Sequence, residues 1–291
     1  MTVSRRIAAA LALLVGLAVG CSRPEPASDR EPTGRGGESS VEVNVLGFND
    51  FHGHLKSPAG PVKLEDGTTE AGGVARLAHH IGEFRAEHEH SAVVVAGDLI
   101  GASPLVSALF HDEPTVEMMN AIGIDAVALG NHEFDEGWRE LVRVAEGGCH
   151  PEDGCRQGDD YPGASFPFLA ANVATEEGEM LFAPYLLEEY DGVKVAYLGL
   201  VLDAIPSLVM PSGIEGLEFR DEVETINEYV PKLQAKGVET IVVVVHEGGI
   251  PSEEPKGLND CPDLKGPIVP IVEESDDAVD AFLTGHTHRT Y

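Results

Sequence analysis

Five short clusters of Asp, His and Asn punctuate this sequence, each directly after an aliphatic run. They are Asn49-Asp50-Phe51-His52-Gly53-His54, Gly97-Asp98, Gly130-Asn131-His132-Glu133-Phe134-Asp135, His246-Glu247-Gly248-Gly249 and Gly285-His286-Thr287-His288. Carboxylate oxygens and imidazole nitrogens together suit divalent cations of intermediate softness, namely Mn, Fe, Co or Zn. In extended backbone, residues two apart point the same way, so Asp50-x-His52 and His286-x-His288 would each aim two donors at one target. Gly97, Gly130 and Gly285 suit tight turns where backbone must approach another group. A single cluster is compatible with a turn, a helix start or a core histidine. Five of them at strand ends point to one pocket, because ligands of α/β sheets bind outside the carboxyl ends of the strands. His79, His80, His88 and His90 fall on the first helix as solvated residues, and His111 and His150 fall in loops. His54 lies near the site as support rather than as a ligand.

The elements that must position these side chains follow from hydrophobic periodicity. Strands are expected over 41–48, 92–96, 126–129, 166–173, 185–190, 193–201, 240–245 and 278–283. Helices are expected over 73–89, 116–122, 136–145 and 222–236. Asp191-Gly192 joins two of the strands as a hairpin. Strands alternating with helices give an α/β fold, and the hairpin makes the sheet mixed and two-layered.

Composition sets the wider frame. Of 291 residues 43% are apolar, enough for a substantial core, and 50 acidic against 19 basic residues give a net charge of −31. Such a chain does not read nucleic-acid grooves, which call for basic patches. Bound cations would let it accept an anionic substrate all the same. A GxxxxGK[ST] loop is absent, as is a GxGxxG after the first strand, which argues against a P-loop NTPase and a Rossmann reductase.

At the N-terminus, Arg5 and Arg6 precede an apolar run over 7–19, too short for a bilayer span but suited to a signal-peptide core. Leu17-Ala18-Val19-Gly20-Cys21 resembles a bacterial lipobox, which implies cleavage after residue 20 and a lipidated Cys21. The expected organisation is a signal peptide (1–20), a flexible tether (21–40) and a catalytic domain (41–291). The protein would then be exported and anchored in a membrane, facing the bacterial cell surface or the periplasm. Cys149 and Cys155 lie close together in a polar loop, and an exported context permits a disulfide between them. Cys261 is left without a partner.

The five motifs together resemble the signature of the calcineurin-like metallophosphoesterases. The forms over 48–55 and 130–135 look like the bacterial 5′-nucleotidase/UDP-sugar hydrolase branch. The resemblance covers 41–291 and implies layered mixed sheets flanked by helices (α/β/β/α). It also implies two divalent cations about 3.5–4 Å apart. Asp50, His52, Asp98 and His288 would hold the first, with Asp98 bridging to a second held by Asn131, His246 and His286. His132 and Asp135 would form the catalytic pair, with hydroxide attacking phosphorus while His132 stabilises the transition state. The implied reaction is hydrolysis of phosphate esters, nucleotides foremost. Cyclic 2′,3′-phosphodiesters and sulfur esters share the motifs and stay open, as does a non-catalytic metal-binding fragment. That branch continues into a second, substrate-holding domain. Because this sequence stops at Tyr291, such a domain and a partner for Cys261 are expected beyond it.

Overall fold

The computed structural model describes residues 40–64, 67–156, 160–253 and 263–289. The expected signal peptide, Cys21, nearly all of the tether, and Cys261 lie outside the described residues. In chain order the first half contains β1 (Asn44–Phe48), β2 (Val62–Leu64), β3 (Gly67–Thr69), α1 (Val74–Glu87), β4 (Ser91–Ala96), α2 (Leu105–Ala108), α3 (Glu113–Ile122) and β5 (Ala126–Ala128). A 3-10 turn (His132–Phe134), α4 (Trp138–Glu146), β6 (Phe168–Leu169) and β7 (Val173–Thr175) follow. The second half contains β8 (Tyr185–Tyr190), β9 (Val193–Val201), α5 (Ile205–Leu208), a 3-10 turn (Pro211–Gly213) and β10 (Leu217–Phe219). It closes with α6 (Glu222–Gln234), β11 (Thr240–His246), α7 (Ile268–Glu274) and β12 (Ala281–Leu283).

Two four-stranded sheets carry the fold. The first is parallel throughout, in the order β1-β4-β5-β6. The second runs β12-β11-β9-β8, parallel except for the β8–β9 hairpin. Asp191 (φ 50°) and Gly192 (φ 88°) are both left-handed at the hairpin turn, the backbone that matches strand twist in a two-residue loop. The central strands are buried along nearly their whole length, which is why β4 and β11 read as unbroken aliphatic runs.

Three apolar layers result. Val94, Ala96, Ala126 and Ala128 of the first sheet meet Val195, Tyr197, Val242 and Val244 of the second. Outside the first sheet, Ile81, Val116, Met119, Leu141 and Val144 of α1, α3 and α4 cover Val93, Val95 and Val127. Outside the second, Ile226, Val230, Leu233, Ile268 and Ile271 of α6 and α7 cover Leu198, Ile241, Val243 and Val245. The architecture is therefore helix, sheet, sheet, helix. Among the described residues no helix is long and apolar enough to cross a membrane.

One expected strand differs. The run over 166–173 is split: β6 ends at Leu169, and β7 pairs instead with β10. Asn172 is the physical reason. Its buried amide donates to the carbonyls of Val201 and Arg220 and accepts the Val201 N–H, so the chain turns there toward the second half of the fold.

Candidate metal centre

The carboxyl ends of β1, β4, β5, β11 and β12 converge at one end of the two sheets. The first three bring Asp50, His52, Asp98 and Asn131. The last two bring His246, His286 and His288.

Two donor groups form there: Asp50, His52 and His288, and beside them Asp98, His246 and His286. In the first, His288 Nε2 is 3.1 Å from Asp50 Oδ1 and 3.3 Å from His52 Nε2. In the second, His246 Nε2 is 3.0 Å from Asp98 Oδ2. The same Asp98 oxygen lies 3.6 Å from His52 Nε2, so it stands between the two groups.

Hydrogen bonds at the far side of each ring fix the tautomers. His52 Nδ1–H donates to the Gly101 carbonyl at 2.9 Å, and His246 Nδ1–H to the Ala96 carbonyl at 2.7 Å. Both rings therefore turn an Nε2 lone pair inward, as metal-ligating histidines do. His246 Nε2 and Asn131 Oδ1 are buried without a hydrogen-bond partner. Orphaned acceptors of this kind are costly unless something electropositive meets them. Beside the buried Asp98 carboxylate, the His246 imidazole is pushed up to about 9 although burial opposes its charge. The cluster draws in positive charge. Lone pairs, carboxylates and orphaned acceptors fit divalent cations.

The approach is tight. A Cβ on Gly97 would stand 2.3 Å from His246 Nδ1, and one on Gly130 would stand 2.2 Å from Asp98 Oδ1. The local geometry corrects one expectation, because Asp50-x-His52 and His286-x-His288 are not extended. Asp50 (φ 49°), His52 (46°), Asp98 (51°), His286 (74°) and His288 (52°) are all left-handed. The donors converge by tight curling of the chain, at a strain of roughly 1–3 kcal/mol per residue.

His132 and Asp135 sit at the rim. His132 Nδ1–H donates to Asp135 Oδ2 at 2.9 Å, and the same oxygen accepts the Ala102 N–H at 2.8 Å. The Asp135 hydrogen bond raises His132 above the ordinary imidazole value, with Asp98 and Glu133 adding to it while burial opposes. The His132 ring centroid is 5.1 Å from that of His52, and its backbone N–H is held by Asp98 Oδ1 at 2.9 Å.

Glu133 has a part that the motif spacing does not reveal. Its fully buried carboxylate accepts four backbone N–H groups, from Asp98 (3.0 Å), Leu99 (2.8 Å), Ile100 (3.3 Å) and Gly130 (2.6 Å). It ties the β4 loop to the β5 loop. Burial, with Asp98 nearby, pushes its carboxyl up to about 7.

The other histidines stay apart from this centre. His54 is exposed, as are His79 and His80 on α1. His88 and His90 correct their expected place, since α1 ends at Glu87, and His90 pairs with Asp191 at 3.0 Å. His111 and His150 are loop residues whose rings stack at 3.9 Å, next to Glu136 and Glu140. That second group is organised by hydrogen bonds. His150 Nδ1 accepts the N–H groups of Glu152 and Asp153, which leaves its proton on Nε2 facing Glu140. Arg143 already holds Glu140. Nearby, Cys149 and Cys155 stand at disulfide distance, their Cα atoms 4.5 Å apart.

Comparison with known proteins agrees with this architecture. The chain is 35% identical over 256 residues to endonuclease YhcR of Bacillus subtilis, covering 87% of this chain and 20% of that protein. It is 33% identical over 216 residues to snake venom 5′-nucleotidase of Gloydius brevicauda, covering 72% of this chain and 33% of that one. It thus spans a fifth and a third of these relatives. The crystal structure of calcineurin-like phosphoesterase YfkN from Bacillus subtilis superposes with a TM-score of 0.62 at 27% identity, covering 84% of this chain and 72% of that one. Residues 43–290 match the family model for calcineurin-like phosphoesterases. With helix, sheet, sheet and helix in place and the donor loops gathered at one end, this chain belongs to the calcineurin-like phosphoesterase family.

Proposed function

We propose that the chain hydrolyses phosphate esters, nucleotides foremost, at a centre of two divalent cations. The observation that carries this reading is Asp98 Oδ2, placed between the inward Nε2 atoms of His246 and His52. Asp50, His52, Asp98 and His288 would hold one cation, and Asp98, Asn131, His246 and His286 the other. When bound, the cations supply Lewis acidity to the phosphoryl group and to water.

The chain's own residues do the rest. Asp135 holds the His132 Nδ1–H and raises the ring's affinity for a second proton, which at Nε2 would face the substrate. From the rim His132 donates to a phosphoryl oxygen as negative charge builds, and to the leaving oxygen as the ester bond breaks. Asp135 keeps that ring oriented. Glu133 holds Asp98 and the Gly130 turn in register.

The N-terminal sequence supports export and a lipid anchor at Cys21 as part of the same reading. An enzyme so placed would meet phosphate esters outside the cytoplasm.

The test is turnover by the full chain after reconstitution with Mn, Zn, Fe or Co, alongside elemental analysis. A panel of p-nitrophenyl phosphate, AMP, UDP-glucose, 2′,3′-cyclic AMP and bis-p-nitrophenyl phosphate separates monoester, pyrophosphate and diester chemistry. Two bound cations with no turnover of any ester would sink the reading in favour of a non-catalytic metal-binding protein.

A further inference from the structure

The two inward-facing imidazoles lean on carbonyls of different kinds. His246 donates to Ala96, which lies inside β4 with β1 and β5 paired on either side. His52 donates to Gly101, which lies beyond the end of β4 at φ 80°, where no strand fixes the backbone. The Ser103 hydroxyl reaches the same carbonyl at 3.4 Å. A glycine turns freely about both its dihedrals, so this carbonyl aims His52 reliably only if the peptides around it are held.

The loop is held by its amides. The consecutive N–H groups of Asp98, Leu99, Ile100, Gly101 and Ala102 all donate to carboxylates. Glu133 takes the first three, and Asp135 takes that of Ala102, which belongs to the peptide carrying the Gly101 carbonyl. The Gly101 N–H, in the peptide before it, goes to Asp112 Oδ2 at 3.1 Å. A Cβ on Gly101 would stand 2.1 Å from the His132 carbonyl oxygen, so the turn also has no room on that side.

Asp112 forgoes its ordinary task to do this. It stands at the N-cap of α3, left-handed at φ 59°, where an aspartate usually accepts an N–H of its own helix. Its side chain makes no such bond. Pro114 has no N–H to offer, and the Thr115 N–H goes to the Asp112 carbonyl at 3.0 Å. The carboxylate reaches back to Gly101 instead. Its own backbone is well anchored, because α3 packs into the core through Val116 and Met119. Asp112 is buried, and its Oδ1 has no hydrogen-bond partner among the described residues, so one oxygen does the holding.

We propose that Asp112 is a positioning residue for His52. With Asp135 holding the peptide after Gly101 and Asp112 the peptide before it, the carbonyl is fixed, and with it the tautomer and aim of the imidazole. The contact that matters is an acceptor for the Gly101 N–H, not a negative charge. The consequence for cation binding rests on the two-cation reading above: Asp112 supports the cation beside Asp50, His52 and His288, and not the one beside His246.

The test compares Asp112→Gly, which suits the left-handed backbone and removes the acceptor, with Asp112→Asn, which keeps one. In the metal-free full chain, labelled with ¹⁵N-histidine, the His52 Nδ1–H resonance is identified by its loss in His52→Ala. It should shift and exchange faster with water in Asp112→Gly and return to the parent position in Asp112→Asn, while the His246 resonance stays in place. In calorimetric titration with Mn, Asp112→Gly should weaken one of two cations about tenfold, as loss of an outer support of a ligand does. In a His52→Ala background the same change should add nothing. An unmoved His52 resonance in Asp112→Gly, an Asp112→Asn variant that behaves like Asp112→Gly, or an undiminished effect in the His52→Ala background overturns the proposal. A His52 resonance that responds as expected in a chain that binds no Mn upholds the positioning and removes the cation reading instead.

Discussion

His246 Nε2 and Asp98 Oδ2 lie 3.0 Å apart, and with the ring's Nδ1–H committed to the Ala96 carbonyl only a proton or a cation at Nε2 can join them. Two acceptors facing each other at that distance need a shared positive charge. Since the same Asp98 oxygen also faces His52, Asp98→Asn should weaken both proposed cation positions. Elemental analysis is expected to find one cation or none per chain, against two in the parent protein. Full occupancy in the variant would remove Asp98 from the bridging place.

His132→Ala separates chemistry from metal binding. Removing one positioned donor typically lowers kcat by about 10²–10³-fold, and here both cations should be retained. Asp135→Asn should give a smaller loss in the same direction, since the ring stays but loses its orienting carboxylate. Loss of cations in His132→Ala would show that His132 is a ligand instead.

Glu133→Ala leaves four buried backbone N–H groups without their acceptor. A buried donor left unsatisfied costs about 1–3 kcal/mol. Chemical denaturation should therefore show a loss of at least about 3 kcal/mol. An effect under about 1 kcal/mol would mean that water replaces the carboxylate readily.

Cation removal should lower Tm. Five left-handed donor residues, with the Asp50 and Asp98 carboxylates 7% and 2% exposed, are held in strained positions that cations would offset. At a free-cation concentration of about 100 Kd the stabilisation is about 2.7 kcal/mol. Scanning calorimetry with and without a chelator measures it, and a Tm unchanged by chelation would contradict the fit of the site to cations.

Glu222 gives a pH dependence, with Asp203 and Glu247 among the charges around it. Its carboxyl is pushed up to about 7 by burial, although the Asp203 N–H favours the charged form. A carboxyl that titrates higher in the folded state loses its proton first in the unfolded state. Between about pH 4.5 and pH 7 the folded chain therefore binds more protons, and this residue makes stability fall as pH rises. Glu222→Gln should flatten that part of the profile of unfolding free energy against pH. An unchanged slope would place the effect elsewhere.

The donor residues were legible in the sequence because each follows a β-branched or aliphatic run. Val93-Val94-Val95 and Val242-Val243-Val244-Val245 mark buried parallel strands with little ambiguity, and the carboxyl ends of such strands face one side. What each donor does locally was not legible. Alternation suggested extended backbone at Asp50 and His52, whereas the chain curls there into the left-handed region, a choice made by tertiary closure rather than by residue type. Glu133 sits inside a quoted motif, yet only the fold shows that it turns inward to four amides. The short elements α2, α5 and β10 carry too few residues to show a period.

The two sheets contribute unequal halves to the centre, and they emerge from the ribosome in order. Asp50, His52, Asp98 and Asn131 belong to a sheet that is complete by Leu169, whereas His246, His286 and His288 follow β11 and β12 of the second sheet. His52 and His288 are 236 positions apart and still stand 3.3 Å from each other. A partly synthesised chain therefore offers only an acidic half-cup, without the imidazoles that would close it. The donor set is therefore split between the two sheets, and it stays open until β11 and β12 dock beside β9.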